Sequence, residues 1–378
     1  MTEEPPGEAS VLVVGAGIIG LAAAWTLVER GHPVTLVDPG LASASVPEAL
    51  ATDPEALLSG SQAALGVLMA GVFHRSSGRA WRLRQRSQAL WNDWLAELER
   101  RGHRLPRRRG LLLLAASAEE RARQERLAAD RARMGVPLEL LAAEALEELY
   151  PSVPGPTFGG LLSPEDGQLD PAPVMAALLG EARRHGLVCV AERAAGVERG
   201  GRWRLTLADG ASLSADWLVL AAGPGTAPLL ASLGHILPLE PVPGQALELE
   251  LPGPLRWSWP GAVVWRGVNL VPKPEADGTG QRLWLGATLE PGEHASAAAL
   301  EEMRWLGGAA PPWLREAKVV RHWRGLRGRP IGQAAPVLAE PEPRLLVASG
   351  HYRNGLLLAP ATAAWIRERI EALEGGRL

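Results

Sequence analysis

Apolar positions along the chain change period from run to run. Val11–Val14 is a short, largely β-branched run, suited to a central parallel strand buried on both faces. A helix is predicted from about Ile18 to Glu29, Gly31 ends it, and Pro33–Val37 begins a second strand, which makes a βαβ unit. Leu41–Gly60, rich in Ala, Ser, Pro and Leu, reads as a loosely ordered excursion. Arg79–Arg101 reads as an amphipathic helix with Trp81, Leu90, Trp94 and Leu98 near helical spacing. Gly110–Ala115 has the pattern of a strand and Ala118–Met134 that of a charged surface helix. Asp170 is placed as an N-cap with Pro171 at the first helical position, and Gly186 closes that helix. Strands are predicted at Leu187–Ala191, Trp203–Leu207 and Trp217–Ala221. Pro238–Leu289 is strand-like throughout, with breaks at Pro252-Gly253-Pro254 and Asp277-Gly278. Arg344–Ala348 reads as a last buried strand and Leu356–Leu373 as a last helix. Helices and strands alternate at both ends around a β-rich insert, without internal repeats. The fold class is therefore α/β (α+β overall): a Rossmann-like domain plus a domain built on a mixed or antiparallel sheet.

Composition narrows this. The chain has 378 residues, 47% of them hydrophobic and 21% charged, enough to bury a large core. A balance of 39 basic against 42 acidic side chains gives no electrostatic case for nucleic acid or an acidic membrane surface. Val11–Val28 carries no charge and is long enough to be scored as a membrane span. Its glycines at 15, 17 and 20, the absence of a preceding basic segment, and Glu29-Arg30 at its end favour a buried strand and helix of a soluble protein instead. The single cysteine, Cys189, excludes an intramolecular disulfide and multi-thiolate metal sites; a reducing, cytoplasmic setting is expected. The 8 histidines show no ligand spacing such as HxH or HExxH, so no metal is expected. Basic runs such as Arg101–Arg109 read as solvated turns.

The chemistry begins at Gly15-Ala16-Gly17-Ile18-Ile19-Gly20, a GxGxxG fingerprint with a strand before it and a helix after. Gly15 permits the tight turn, Gly17 lets a pyrophosphate approach the backbone, and Gly20 lets the helix pack on the strand. The helix N-terminus, with Ile18 and Ile19 in its first turn, supplies free N–H groups and partial positive charge. Asp38, at the end of the second strand, is placed to accept hydrogen bonds from a ribose. The fingerprint alone does not separate FAD from NAD.

Three further segments bear on that choice. His351-Tyr352-Arg353-Asn354-Gly355-Leu356-Leu357-Leu358-Ala359-Pro360-Ala361-Thr362 resembles the C-terminal flavin loop of glycine oxidases, members of the D-amino-acid oxidase superfamily of FAD enzymes. Ser163–Pro171 resembles the superfamily's entry into the helix of its second FAD-domain unit. Ser61-Gln62-Ala63-Ala64-Leu65-Gly66 and the residues after it are similar to the small-residue segment beside the flavin. Weaker echoes at Asp216–Gly223, Pro243-Gly244-Gln245, Leu285–Thr288 and Gly325-Leu326-Arg327 follow in the family's order. Gly350 and Gly355 would let the backbone approach a flat ring, and the helix start near Leu356 would face the flavin's N1–C2=O edge.

The resemblance implies that Arg327 grips the substrate carboxylate, in two-pronged fashion, and that Arg353 lies beside the flavin. It implies FAD-dependent oxidative deamination of glycine or another small amine. Hydride passes from Cα to flavin N5, O2 is reduced to H2O2, and glyoxylate or another 2-oxo acid is released with ammonia. A role in thiazole synthesis for thiamin and assembly as a homo-oligomer are further implications. Where the family has a carboxylate-holding tyrosine, this chain has Asn269, which can donate only from a shorter side chain. Cys189, in a predicted buried strand, leaves the FAD noncovalent. Same-fold alternatives are an amine dehydrogenase using a quinone or carrier acceptor and a flavin-binding protein without turnover, which Asn269 favours; an NAD-linked dehydrogenase stands behind them. The FAD domain is expected over residues 1–85, 160–236 and 322–378, and the substrate domain over 86–159 and 237–321.

Overall fold

A computed structural model of the chain describes residues 9–42, 57–252, 257–273, 282–290 and 295–374. Its first sheet runs in the order Val337–Glu342, Leu345–Ser349, Trp217–Leu220, Val11–Val14, Val34–Val37, Val188–Val190. Only the first pair is antiparallel; the others are parallel, as βαβ crossovers require. Val11–Val14 sits between two partners, Val13 opposite both Val219 and Leu36. Its alternate residues serve two cores, which explains an uninterrupted apolar run. Val11 and Val13 pack with the helices Ile18–Val28, Pro171–Arg184 and Gly355–Glu374. Leu12 and Val14 pack with Trp203 and Leu205 of a three-stranded antiparallel sheet and with Leu229 and Leu230.

The second sheet is larger and mixed. Its path is Leu57–Ser59, Lys318–Pro330, Leu239–Glu250, Arg282–Gly286, Val268–Lys273, Ala262–Trp265, Arg107–Leu114, Gly160–Leu169, Val67–Leu68, with Glu139–Leu141 added on Gly160–Leu169. Leu111, Ala246, Val264, Val271 and Trp284 form one buried cluster of this sheet, and Leu247, Leu249, Leu270, Leu283 and Leu285 lie in another.

The expected elements are present in the described residues, with several corrections. Asp170 caps its helix, its Oδ1 accepting the Ala172 N–H at 3.2 Å with Pro171 at the first position. The helix Gly78–Arg100 buries Trp81, Arg84, Ser87, Trp91, Leu95 and Leu98. Leu90 and Trp94 stand at its margin, so the buried stripe is rotated from the expected one. Cys189 is half-buried, not buried, because Val188–Val190 is an edge strand. Arg107–Arg109 belong to a strand rather than a turn, and the Arg108 guanidinium donates to the Trp259 carbonyl at 2.9 Å. Gly160–Leu169 is a ten-residue strand that the sequence pattern did not show. Residues 43–56 of the expected excursion, and most of both expected breaks, lie outside the described residues.

Tryptophan, 14 residues against 2 Tyr and 2 Phe, is used in edge-to-face groups. Trp25 and Trp91 flank Trp94, and Trp257, Trp259 and Trp313 pack mutually with centroids 5.1–6.0 Å apart.

Candidate active site

The two sheets enclose one cavity of about 930 Å³, at the upper end of the roughly 300–1,000 Å³ usual for ligand pockets. At the parallel sheet its wall is Gly15, Gly17, Ile18, Ile19 and Asp38. Gly15 has φ +106, and a Cβ there would lie 2.6 Å from the Ala221 carbonyl oxygen. Gly20 is not in the wall: a Cβ on it would overlap the Gly15 carbonyl oxygen, so its absence lets the helix seat on the strand end. The Asp38 carboxylate closes its own loop, accepting the Ala16 N–H at 2.8 Å and the Gly40 N–H at 2.7 Å. Each oxygen retains acceptor capacity for a ribose hydroxyl. The Ile18 N–H donates to Ser61 Oγ at 3.0 Å, so the small-residue segment reaches the helix N-terminus.

Ser61, Gln62, Ala63, Ala64 and Gly66 line the adjoining stretch, together with Gly223, Gly350, His351, Arg353, Asn354, Gly355 and Leu356. Close approach explains the glycine in Gly-Leu-Arg: a Cβ on Gly325 would overlap the Ala63 Cβ. The C-terminal loop is anchored from behind. Trp91 Nε1 donates to the Leu356 carbonyl at 3.0 Å, and the Ala361 N–H donates to Ser87 Oγ at 3.1 Å.

His351 is buried and its Nε2 lies 3.0 Å from Thr362 Oγ1. Burial pushes the imidazole down to about 3, so it is neutral in the fold. Below its ordinary 6.5 the unfolded chain takes up a proton that the folded chain refuses, and stability falls as pH drops from 6.5 toward 3. The ceiling is on the order of 5 kcal/mol, taking about 1.4 kcal/mol per pH unit. We expect His351→Asn to flatten the fall in Tm between about pH 6.5 and pH 4; an unchanged slope would assign the acid sensitivity elsewhere.

From the mixed sheet, Arg327, Asn269, Gly244, Ala246 and Ala287 complete the wall. Arg327 Nη1 donates to the carbonyls of Thr288 at 3.2 Å and Pro243 at 3.5 Å, and no ion pair to it exists among the described residues. Burial first, and the nearby Arg353 second, push its pKa below the ordinary value. Arg327 is thus a desolvated cation in want of an anion.

The weaker sequence echoes meet behind this guanidinium. The Gln245 N–H donates to Thr288 Oγ1 at 2.8 Å, and Gln245 Nε2 to Glu290 Oε1 at 2.8 Å and the Ser296 carbonyl at 2.9 Å. The Thr288 hydroxyl also donates to Glu290. This closed network fixes the Thr288 carbonyl that receives Arg327. Glu290 was not foreseen, although it stands two residues after the Gly-Ala-Thr echo.

Gly244 lies against Arg327; a Cβ there would overlap both guanidinium nitrogens and reach within 2.7 Å of Cζ. Gly244→Ala must displace the guanidinium, and a misplacement of about 1 Å costs on the order of 10²-fold in rate. The expected result is that loss in kcat/KM with the flavin retained; a value within threefold of the parent would mean that Arg327 is not held here.

Asn269 is nine-tenths buried, and its Nδ2 donates to the Gly286 carbonyl at 2.9 Å across the strand pair. Its Oδ1 is buried without a partner. One of the two donors expected from the sequence is thus taken by the backbone. Cys189 is not in the wall. Among the described residues no helix is long and apolar enough to cross a membrane.

The cavity fits an extended dinucleotide: glycine backbone and free helix N–H groups at one part, carboxylate-seeking arginines at another. These features define a dinucleotide-dependent oxidoreductase with buried arginines in its cavity wall. The chain belongs to the DAO family of FAD-dependent oxidoreductases, whose description, FAD dependent oxidoreductase, matches over residues 10–369. Within it the likeness is to glycine oxidases, and the protein is an FAD-dependent oxidoreductase. Glycine oxidase of Geobacillus kaustophilus (strain HTA426) is 30% identical over 374 residues, 96% of this chain and 93% of that one. A crystal structure of glycine oxidase from Geobacillus kaustophilus superposes with a TM-score of 0.82 at 28% identity, covering 97% of this chain and 95% of that one. The bifunctional protein ThiO/ThiG of Synechocystis sp. (strain ATCC 27184 / PCC 6803 / Kazusa) is 30% identical over 370 residues, 95% of this chain and 51% of that longer one.

Proposed function

We propose that the protein oxidatively deaminates glycine or another small amine, giving glyoxylate or the corresponding 2-oxo acid, ammonia and hydrogen peroxide. The observation that carries this reading is Arg327, a cation in the cavity wall with only carbonyl oxygens as hydrogen-bond partners among the described residues. It would take the substrate carboxylate as a fork, orienting Cα, with Arg353 adding positive charge from the flavin loop. Noncovalent FAD, when bound, supplies a two-electron acceptor for the Cα hydride, at N5, that O2 restores. Gly15, Gly17, Ile18, Asp38 and Ser61 would hold its phosphate and ribose parts, and Gly350–Leu356 its ring. No side chain need remove a proton if the amine binds neutral; rate comes from positioning and charge complementarity.

The division into an FAD domain (1–85, 160–236, 322–378) and a substrate domain (86–159, 237–321) is supported by the two sheets. The strand Gly160–Leu169 and most of Lys318–Pro330 fall within the first set of ranges but belong to the mixed sheet, so the sheets support the division only away from those strands. Feeding the glycine-derived imine to thiazole synthesis is the pathway reading, which the ThiO/ThiG likeness supports.

The test is oxygen uptake and peroxide release with glycine under air. Stoichiometric peroxide supports an oxidase. Flavin that glycine reduces but air reoxidises slowly would instead make the protein a dehydrogenase with a quinone or carrier acceptor.

A further inference from the structure

Three arginines of the described residues are almost wholly buried, and two of them are satisfied. Arg131 donates from Nε to the Gly71 carbonyl at 2.8 Å, from Nη1 to Ser76 Oγ at 2.8 Å, and from Nη2 to the Phe73 and Arg75 carbonyls. Arg304 donates to the Leu314 and Ala317 carbonyls, both at 2.7 Å. These are the contacts expected of a guanidinium that holds a fold together.

Arg84 differs. It is 6% exposed and lines the cavity, yet its one hydrogen bond among the described residues runs from Nη1 to the Ala80 carbonyl of its own helix at 3.0 Å. Its Nε is buried without a partner, and no carboxylate pairs with it among the described residues. Phe73 stacks beneath it, the guanidinium carbon 3.7 Å from the ring centroid, which fixes the plane. Neighbouring charge is of the same sign, since Arg75 and Arg84 both act on His74. Burial lowers the Arg84 pKa to about 10, so it remains a cation at neutral pH. The loop beneath is rigidly held, because buried Asp166 accepts the N–H groups of Ala70, Gly71 and Val72 at 2.7–3.2 Å. A desolvated, oriented and unpaired cation is costly unless an anion completes it.

We propose that Arg84 is a second anion-binding residue of the cavity, taking a carboxylate-type oxygen group on the substrate, so that the preferred amines carry two acidic groups. This rests on the amine-oxidising reading above and specifies its substrate class. An oxyanion could also come from the cofactor's phosphates. Those already have the N-terminus of the helix Ile18–Val28 and the glycine turn before it, whereas Arg84 belongs to a different helix and stands over an aromatic ring.

The experiment uses the FAD-loaded enzyme and its Arg84→Met variant. Steady-state kinetics with glycine, D-aspartate, L-aspartate and N-(carboxymethyl)glycine are combined with FAD dissociation constants and flavin-absorbance titrations with acetate and malonate. The expected result is tighter binding of malonate than of acetate by the parent. In the variant this preference, and the ratio of kcat/KM for the best diacid amine to that for glycine, fall at least tenfold, with the FAD constant within twofold. Equal changes for glycine and the diacid amines would overturn the proposal. A tenfold loss of FAD affinity with an unchanged ratio would overturn it also, moving Arg84 to a cofactor phosphate. Should the variant not fold, the parent titration decides: malonate binding no tighter than acetate rejects the second site. Failure of every amine to reduce the flavin, with malonate still preferred, would count against the amine-oxidising reading and leave the anion site standing.

Discussion

Arg327→Ala is expected to lower kcat/KM for the preferred amine by about 30- to 4,000-fold, the range of about 2–5 kcal/mol for removing one partner of a desolvated charge pair. Among the described residues the parent guanidinium meets only the Thr288 and Pro243 carbonyls, so no carboxylate among them is left unpaired by the change. The loss therefore reports substrate carboxylate and transition state, and the flavin absorbance should persist. Arg327→Lys should recover a minor part, since an ammonium carries the charge without the planar fork. A loss below tenfold with FAD bound would remove Arg327 from the carboxylate site.

The second large effect is at the helix seat. Gly20→Ala places a methyl group on the Gly15 carbonyl oxygen, backbone that cannot rotate away, and Gly15 itself is held at φ +106 against Ala221 and Ala222. Relief requires moving the helix Ile18–Val28 off the strand Val11–Val14, which spoils the N-terminal N–H array. The expectation is colourless protein with stability lowered by about 3 kcal/mol or more. Gly180→Ala is the control: it is also helical, a Cβ there meets nothing within 4 Å, and it should gain about 0.5–1 kcal/mol. Yellow Gly20→Ala protein of parental Tm would refute the close seat.

How far the sequence announced this differs by region. The centre of the parallel sheet was readable because Val11–Val14, Trp217–Leu220 and Leu345–Ser349 are buried on both faces and the turn at Gly15–Gly20 needs glycine at fixed offsets. Asp170-Pro171 was readable as a cap because both residues act locally. Arg327 and its loop came through resemblance, since a Gly-Leu-Arg triplet in a basic stretch carries no periodic signal. Gly160–Leu169 escaped because Pro164, Asp166 and Gly167 resemble a turn; the structure uses Asp166 to satisfy the N–H groups of Ala70–Val72. Arg84 escaped for a different reason. Its helix begins with four arginines within eight residues, and the sequence does not set one of them apart from the others. The spacing Trp81, Arg84, Ser87, Trp91 holds the buried face, and it could have been found had the stripe been set on Trp91 rather than Leu90. Asn269 stands in the sequence where the family has tyrosine, but which way its amide turns depends on Gly286 across the sheet, a long-range pairing.

The central claim is that an amine held by its carboxylate in this cavity reduces the bound flavin. The direct measurement is the visible spectrum of desalted, anaerobic protein before and after glycine, with D-aspartate and sarcosine in parallel. Bleaching of the flavin band by at least one of these, reversed on admitting air, is the predicted result. A band that no small amine bleaches, in protein that binds FAD fully, would contradict it and make this a flavin-binding protein without amine turnover.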